Sequence, residues 1–192
     1  MFLVHYFQRT FIYPFTIKSS KETPFETFLA AFIFCSINGY IQGRYMIEFE
    51  LYGISHLNHC LPIIGVICFV LGFFINIHSD FILRNLRKNG DTGYRIPQGM
   101  PTPIHRVDLV SEISLFSTVS GGMFEYVSGA NFLGEIVEWI GYSLVAQNWP
   151  SFSFAVMTVC NIGPRAQQHH IYYKEKFADY PKNRKALVPF IF

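Results

Sequence analysis

The chain has 192 residues, of which 51% are hydrophobic and only 15% charged, with a net charge of +2 and a mean hydropathy of +0.26. A soluble domain carries roughly 25% charged residues, so this composition argues for lipid rather than water as the surrounding solvent. The small net charge, with no basic cluster interleaved with a stacking surface, excludes a nucleic-acid partner. Aromatic residues make up 18% (21 Phe, 11 Tyr, 2 Trp), which suits a helix bundle with Tyr and Trp at the interface.

The first element, residues 1–17, reads as the tail of a helix, too short and too polar to span alone. His5, Arg9 and Lys18 follow its apolar start rather than precede it, so no cleavable signal peptide is expected. Residues 24–41 form a candidate span, with Pro24 suited to a first helical turn and Glu26 near the positive end of the dipole. The clearest span is 61–77, LPIIGVICFVLGFFINI, which carries no charge and one polar side chain, Asn76. Residues 131–149 and 151–163 form two further apolar segments, divided at Trp149-Pro150, where proline breaks the helix or turns the chain. The expected fold class is therefore all-α, a polytopic transmembrane bundle of about five helices, read as a single domain over 1–192. Basic residues gather in 78–99 (His78, Arg84, Arg87, Lys88, Arg95) and in 172–185 (Lys174, Lys176, Lys182, Arg184, Lys185), which the positive-inside rule assigns to the cytosolic side. Residues 100–121, with two prolines and a mixed polar pattern, do not fit the surrounding spans.

Cys35, Cys60, Cys68 and Cys160 lie without a CxxC pair, and His59-Cys60 has no second ligand pair at zinc spacing. They read as reduced thiols, and no metal is expected. No GxGxxG follows a strand, and no Walker A, HExxH or GxSxG motif occurs. A dinucleotide would have to bind among helices through side chains.

Polar residues in apolar surroundings are costly and commonly mark function. Asn76 and Asp80 are four apart, as are Asp80 and Arg84, and Arg87 lies three beyond, so one helical face could meet a ribose, an amide and a phosphate. A snorkelling helix end gives the same pattern. Asn131 and Glu135 also share a face, with Glu138 in the same apolar run; these are either buried against donors or on a helix partly out of the bilayer. Arg165, His169 and Tyr173 form one stripe at spacings of four, with His170 and Arg184 nearby, and such a stripe clamps phosphates or attracts anionic lipid. Tyr6, between His5 and Arg9, could donate to a carbonyl oxygen in a dry cavity or simply pack at the interface.

The runs INIHSDFILRNLRKNGDTGYRIPQG, FEYVSGANFLGEIVEWIGYSL and YPKNRKALVPFIF, together with VHYFQRTFIYPF at the start, resemble the steroid 5α-reductase (3-oxo-5α-steroid 4-dehydrogenase) family over nearly the whole chain. Some strings resemble the type 1 isozyme and others type 2. The resemblance implies a seven-helix enzyme of the endoplasmic reticulum membrane that uses NADPH to reduce the 4,5 double bond of a 3-oxo-Δ4-steroid such as testosterone. It implies that Asn76, Asp80, Arg87, Tyr94, Asn131, Glu135, Arg165, His169, Tyr173 and Arg184 hold NADPH. Tyr6 would hydrogen-bond the steroid carbonyl. It also implies two amino-terminal helices and part of a third that this sequence does not show, including a glutamate that partners the tyrosine. Residues 100–121 interrupt an RIP-x-GG-[LM]-F motif that is continuous in the family, as an insertion would. The cofactor half alone is shared with polyprenol and enoyl reductases, and a non-catalytic truncated form is the further alternative.

Overall fold

The structure, a computed structural model, describes residues 1–17, 23–50, 52–85, 121–177 and 180–192. Among these, every regular element is helical: α1 (Phe2–Phe7), α2 (Tyr13–Thr16), α3 (Phe25–Glu48), α4 (Cys60–Asn85), α5 (Ala130–Ala146) and α6 (Trp149–Lys176). A π-helical turn, Gln8–Ile12, joins α1 to α2. Pro14 explains it. Proline has no N–H to give the carbonyl four residues back, and the turn ahead of it widens so that the Tyr13 N–H reaches the Gln8 carbonyl.

The five helical segments expected from sequence are present, but three run further. The helix begun near Pro24 continues to Glu48, the clearest span continues to Asn85, and the last one continues to Lys176. Apolar periodicity stops where a helix leaves an apolar environment, while its hydrogen-bond ladder does not. In α6 the ladder passes through Pro164, which costs one backbone bond without ending the helix. Trp149-Pro150 opens a helix rather than closing one. Gln147 ends α5 in the left-handed region (φ 49°), and Asn148 Oδ1 then caps α6 by accepting from the Ser151 N–H at 2.9 Å.

One helix among the described residues, Cys60–Asn85, is long and apolar enough to cross a membrane by length and composition. At 1.5 Å per residue it extends about 39 Å. Its outer face is exposed: Leu61, Ile63, Ile67, Val70, Leu71 and Phe74 are all about half exposed. The same holds for Phe25, Phe28, Phe32 and Ile37 on α3 and for Phe152, Val156 and Met157 on α6.

Glycines set the closest contact in the bundle. The helices α4 and α5 lie antiparallel, with Gly65 against Gly141 and Gly72 against Gly134. A methyl group on Gly65 would stand 2.7 Å from the Gly141 carbonyl oxygen, and one on Gly134 would stand 2.5 Å from the Asn76 nitrogen. Backbone meets backbone here, as between helices in lipid, where small residues permit close approach. Beside this seam, Phe69, Trp139, Tyr142 and Phe154 form a core against which Phe2 and Tyr6 of α1 pack. Trp139 and Phe154 meet edge to face at 4.5 Å. The carboxyl-terminal tail folds back on the entrance to α5: Ser128 and Gly129 N–H donate to the Lys185 and Ala186 carbonyls at 2.8 and 3.0 Å, and the Lys185 N–H donates to the Tyr126 carbonyl at 2.9 Å.

Candidate functional site

The polar residues singled out in sequence collect at one end of the α4–α5 seam. Asn76 is 1% exposed, Ser79 1% and Asp80 3%, all on the last turns of α4. The seam explains their burial: Gly134 admits the α4 backbone so closely that Asn76 Nδ2 donates to the Asn131 carbonyl at 3.0 Å. His78 is buried too, its ring stacked on Phe74 and lying over Gly122.

From α1 and the turn after it, an arginine and a histidine reach the acids of α4 and α5. Arg9 Nη1 donates to Asp80 Oδ2 at 2.5 Å. His5 Nδ1 stands 2.9 Å from Glu138 Oε1, with His5 3% exposed and Glu138 fully buried. Glu135 lies on the same side, close enough to Arg9 and Tyr6 to act on both electrostatically. Tyr6 is half-buried among these groups, with His5 at its ring edge (5.3 Å) and Trp139 at 6.0 Å. Removing one member of either pair leaves its buried partner without a hydrogen bond, so the two pairs tie α1 and the turn after it to the seam.

A second cluster forms where α6 meets the tail. His169 and Tyr173 are ring neighbours at 5.9 Å, as the spacing of four requires, and Tyr173 lies 5.7 Å from Tyr180. Arg184 is only 3% exposed and its guanidinium lies 5.2 Å from the centre of the Tyr180 ring. Arg184, one of the basic residues gathered in 172–185, is therefore folded in against an aromatic ring. Arg165 is exposed and influences His169 through its charge. Phe132 of α5 touches His169 at 5.9 Å, linking this cluster to Asn131. Ser128 fastens the arrangement: its Oγ stands 2.6 Å from His170 Nδ1, 2.6 Å from the Tyr180 hydroxyl and 3.1 Å from the Lys185 carbonyl. His169 and His170 lie in the polar last turns of α6, beyond its apolar stretch. Partial loss of solvent first, and then neighbouring cations, hold both below the ordinary histidine range: Arg165 for His169; Lys174, Arg184 and Lys185 for His170.

The structure thus brings Tyr6, Asn76, Asp80, Asn131 and Glu135 together, and sets Tyr173 and Arg184 against Tyr180, with His169 beside Tyr173. Arg87 and Tyr94 lie outside the described residues, as do 100–120 and Lys88 and Arg95 of the first basic run. Among the described residues no group of three or more His, Cys, Asp or Glu is placed to hold a metal ion.

Sequence reasoning missed three polar residues. Asn38 and Gln42 of α3 and Tyr142 of α5 are buried to 9%, 3% and 2% exposure, and the Tyr6 hydroxyl lies beside Asn38 and Cys35. The available signal was an Asn and a Gln four apart in an otherwise apolar helix.

Comparison with known proteins bears on this arrangement. The sequence profile of the family described as 3-oxo-5-alpha-steroid 4-dehydrogenase matches residues 21–102 and 111–192. The 3-oxo-5-alpha-steroid 4-dehydrogenase 1 of Bos taurus is 46% identical over 191 residues, and that of Mus musculus 45%. The 3-oxo-5-alpha-steroid 4-dehydrogenase 2 of Homo sapiens is 44% identical over 192 residues. Each similarity covers 100% of this chain and 66% of the relative, so the chain spans just under two thirds of the length of these proteins.

Proposed function

Because the chain belongs to the 3-oxo-5-alpha-steroid 4-dehydrogenase family, we propose that it forms the cofactor-binding and carbonyl-polarising part of an NADPH-dependent reductase acting on the 4,5 double bond of 3-oxo-Δ4-steroids. The observation that carries this reading is a tyrosine, Tyr6, set among buried and paired ionic groups inside an otherwise apolar bundle.

The donor set fits a dinucleotide. Cationic and phenolic groups at Arg165, His169, Tyr173 and Arg184 suit phosphates. Side-chain amides and carboxylates at Asn76, Asp80, Asn131 and Glu135 suit hydroxyls and a carboxamide. Asn76 has spent one amide N–H on the Asn131 carbonyl and keeps a second. When bound, the reduced nicotinamide supplies the hydride that C5 of the steroid accepts. This chain's residues do the rest. Tyr6 donates its hydroxyl proton in a hydrogen bond to the C3 carbonyl oxygen, where negative charge grows as C5 is reduced. The apolar walls from Phe2, Trp139 and Phe154 exclude water and so strengthen that bond. Arg9–Asp80 and His5–Glu138 hold α1 against the seam and fix where the hydroxyl points.

The apolar outer faces of α3, α4 and α6 support a membrane location, and by the positive-inside rule the basic runs flanking the spans favour a cofactor side toward the cytosol, in keeping with the endoplasmic reticulum. Residues 103–110, between the two matched stretches, fall within the segment read as an insertion. The test is NADPH-dependent conversion of testosterone by microsomes carrying the chain. We expect a 5α-reduced product, and a loss of about a hundredfold in Tyr6→Phe, the size seen when an oxyanion donor is removed. Turnover that survives Tyr6→Phe unchanged would sink the role of Tyr6.

A further inference from the structure

The missed residues form a chain of hydrogen bonds whose direction can be read. Gln42 lies between Pro150, Asn38 and Tyr142. Its Nε2 donates to the Pro150 carbonyl at 2.9 Å. That carbonyl can only accept, so the nitrogen of Gln42 must face it, and the oxygen must face Tyr142, whose hydroxyl donates to Oε1 at 3.2 Å. The remaining Nε2 proton is directed to Asn38 Oδ1 at 3.3 Å. The oxygen of Asn38 is thereby fixed toward Gln42, and its amide nitrogen is turned away from Gln42.

That nitrogen, Asn38 Nδ2, is fully buried and spends neither N–H on a hydrogen bond among the described residues. A buried donor left so is rare in a folded protein and calls for an explanation. The Tyr6 hydroxyl lies next to Asn38. We propose that Tyr142, Gln42 and Asn38 form an oriented chain that presents an amide N–H to the Tyr6 oxygen, so that Tyr6 turns its own proton outward to the substrate carbonyl. An oxygen facing a donor cannot direct its proton back along the same line. Hydrogen bonds in such a chain polarise one another, and the dry surroundings make each one count. Asn38 and Gln42 are positioning residues in this scheme, acting on the reacting carbonyl only through Tyr6. The inference rests on the role given to Tyr6 above.

The test uses the purified chain with NADP+ and a 3-oxo-Δ4-steroid, which cannot turn over. The ultraviolet band of a bound enone moves to longer wavelength when its carbonyl accepts a hydrogen bond. We expect this shift in the unaltered chain, its loss in Tyr6→Phe, and its weakening in Asn38→Leu and, to a smaller degree, in Tyr142→Phe, which deletes only the far hydroxyl. In the NADPH assay kcat should fall about tenfold in Asn38→Leu, the worth of one hydrogen bond. NADP+ affinity should not change, and Asn38→Leu should add nothing to Tyr6→Phe. A shift that disappears in Tyr6→Phe but persists in full in both Asn38→Leu and Tyr142→Phe would overturn the oriented chain and leave Tyr6 in its role. Failure of the steroid to bind, or a shift that persists in Tyr6→Phe, would overturn the reading of Tyr6 itself and the chain with it.

Discussion

Adding a single methyl group to Gly134 should separate the two helices that build the site. Its Cβ would lie 2.5 Å from the Asn76 nitrogen, 2.8 Å from the Gly72 carbonyl oxygen and 2.9 Å from Asn76 Cα, all of them backbone atoms that no rotamer change can move. Unstrained contact requires about 3.5 Å, so α4 must retreat by roughly 1 Å along its contact with α5. That retreat strains the 3.0 Å bond from Asn76 Nδ2 to the Asn131 carbonyl. Overpacking of this kind costs about 2 kcal/mol, which for a chain of this size lowers an apparent melting temperature by about 4–8 °C. Gly43→Ala supplies the control, because Gly43 lies inside α3 and nothing stands within 4 Å of the position where its Cβ would be. Replacing that helical glycine should stabilise the chain by up to about 1 kcal/mol. Melting of the detergent-solubilised protein and NADPH binding, measured on both variants, decide the matter. Equal melting temperatures for Gly134→Ala and Gly43→Ala would refute the claim that the glycine seam sets the helix spacing.

Other expectations follow from the paired charges and the tail. Glu138→Ala leaves buried His5 without its 2.9 Å partner and should cost about 3 kcal/mol, whereas Glu138→Gln keeps an acceptor and should cost much less; chemical or thermal unfolding separates the two. Arg9→Ala should lower NADPH affinity, measured by fluorescence titration, because Asp80 is left buried without its cation. Ser128→Ala removes the common partner of His170, Tyr180 and the Lys185 carbonyl, and should cost about 2 kcal/mol and expose the tail to protease. His170 is held below the ordinary histidine range, so its contribution to tail docking is complete above that range. It is lost progressively as pH falls from the unfolded value toward the lower folded one. Protease sensitivity of the tail should therefore rise on acidification in the parent and change little in His170→Gln.

Much of the architecture was legible because long apolar runs and helix geometry leave strong traces. The uncharged run 61–77 marked α4, and Trp149-Pro150 marked the division between α5 and α6. What periodicity could not supply was the length of each helix. α6 runs on through Pro164 into Gln167, Gln168 and two histidines, where the ladder holds but the apolar stripe has ended. The glycine seam was equally hidden. Gly65 and Gly72 recur seven apart, and so do Gly134 and Gly141, but spacing within each helix does not reveal that the two pairs face one another.

The site shows the same division between what is local and what is not. Spacings of three and four correctly put Asp80 on a face with Asn76, and Tyr173 on one with His169, because a helix fixes those neighbours by itself. The pairs that define the site join residues 71 and 133 positions apart, Arg9 to Asp80 and His5 to Glu138. Nothing in a single sequence specifies which buried acid meets which cation. The oriented chain from Tyr142 to Asn38 is the sharpest case. Its direction is dictated by the Pro150 carbonyl, a backbone group that every residue possesses and that only the fold places opposite Gln42. A side-chain inventory records Asn38 and Gln42 as costly polar residues in an apolar helix; the placement of one carbonyl turns them into a means of aiming the Tyr6 proton.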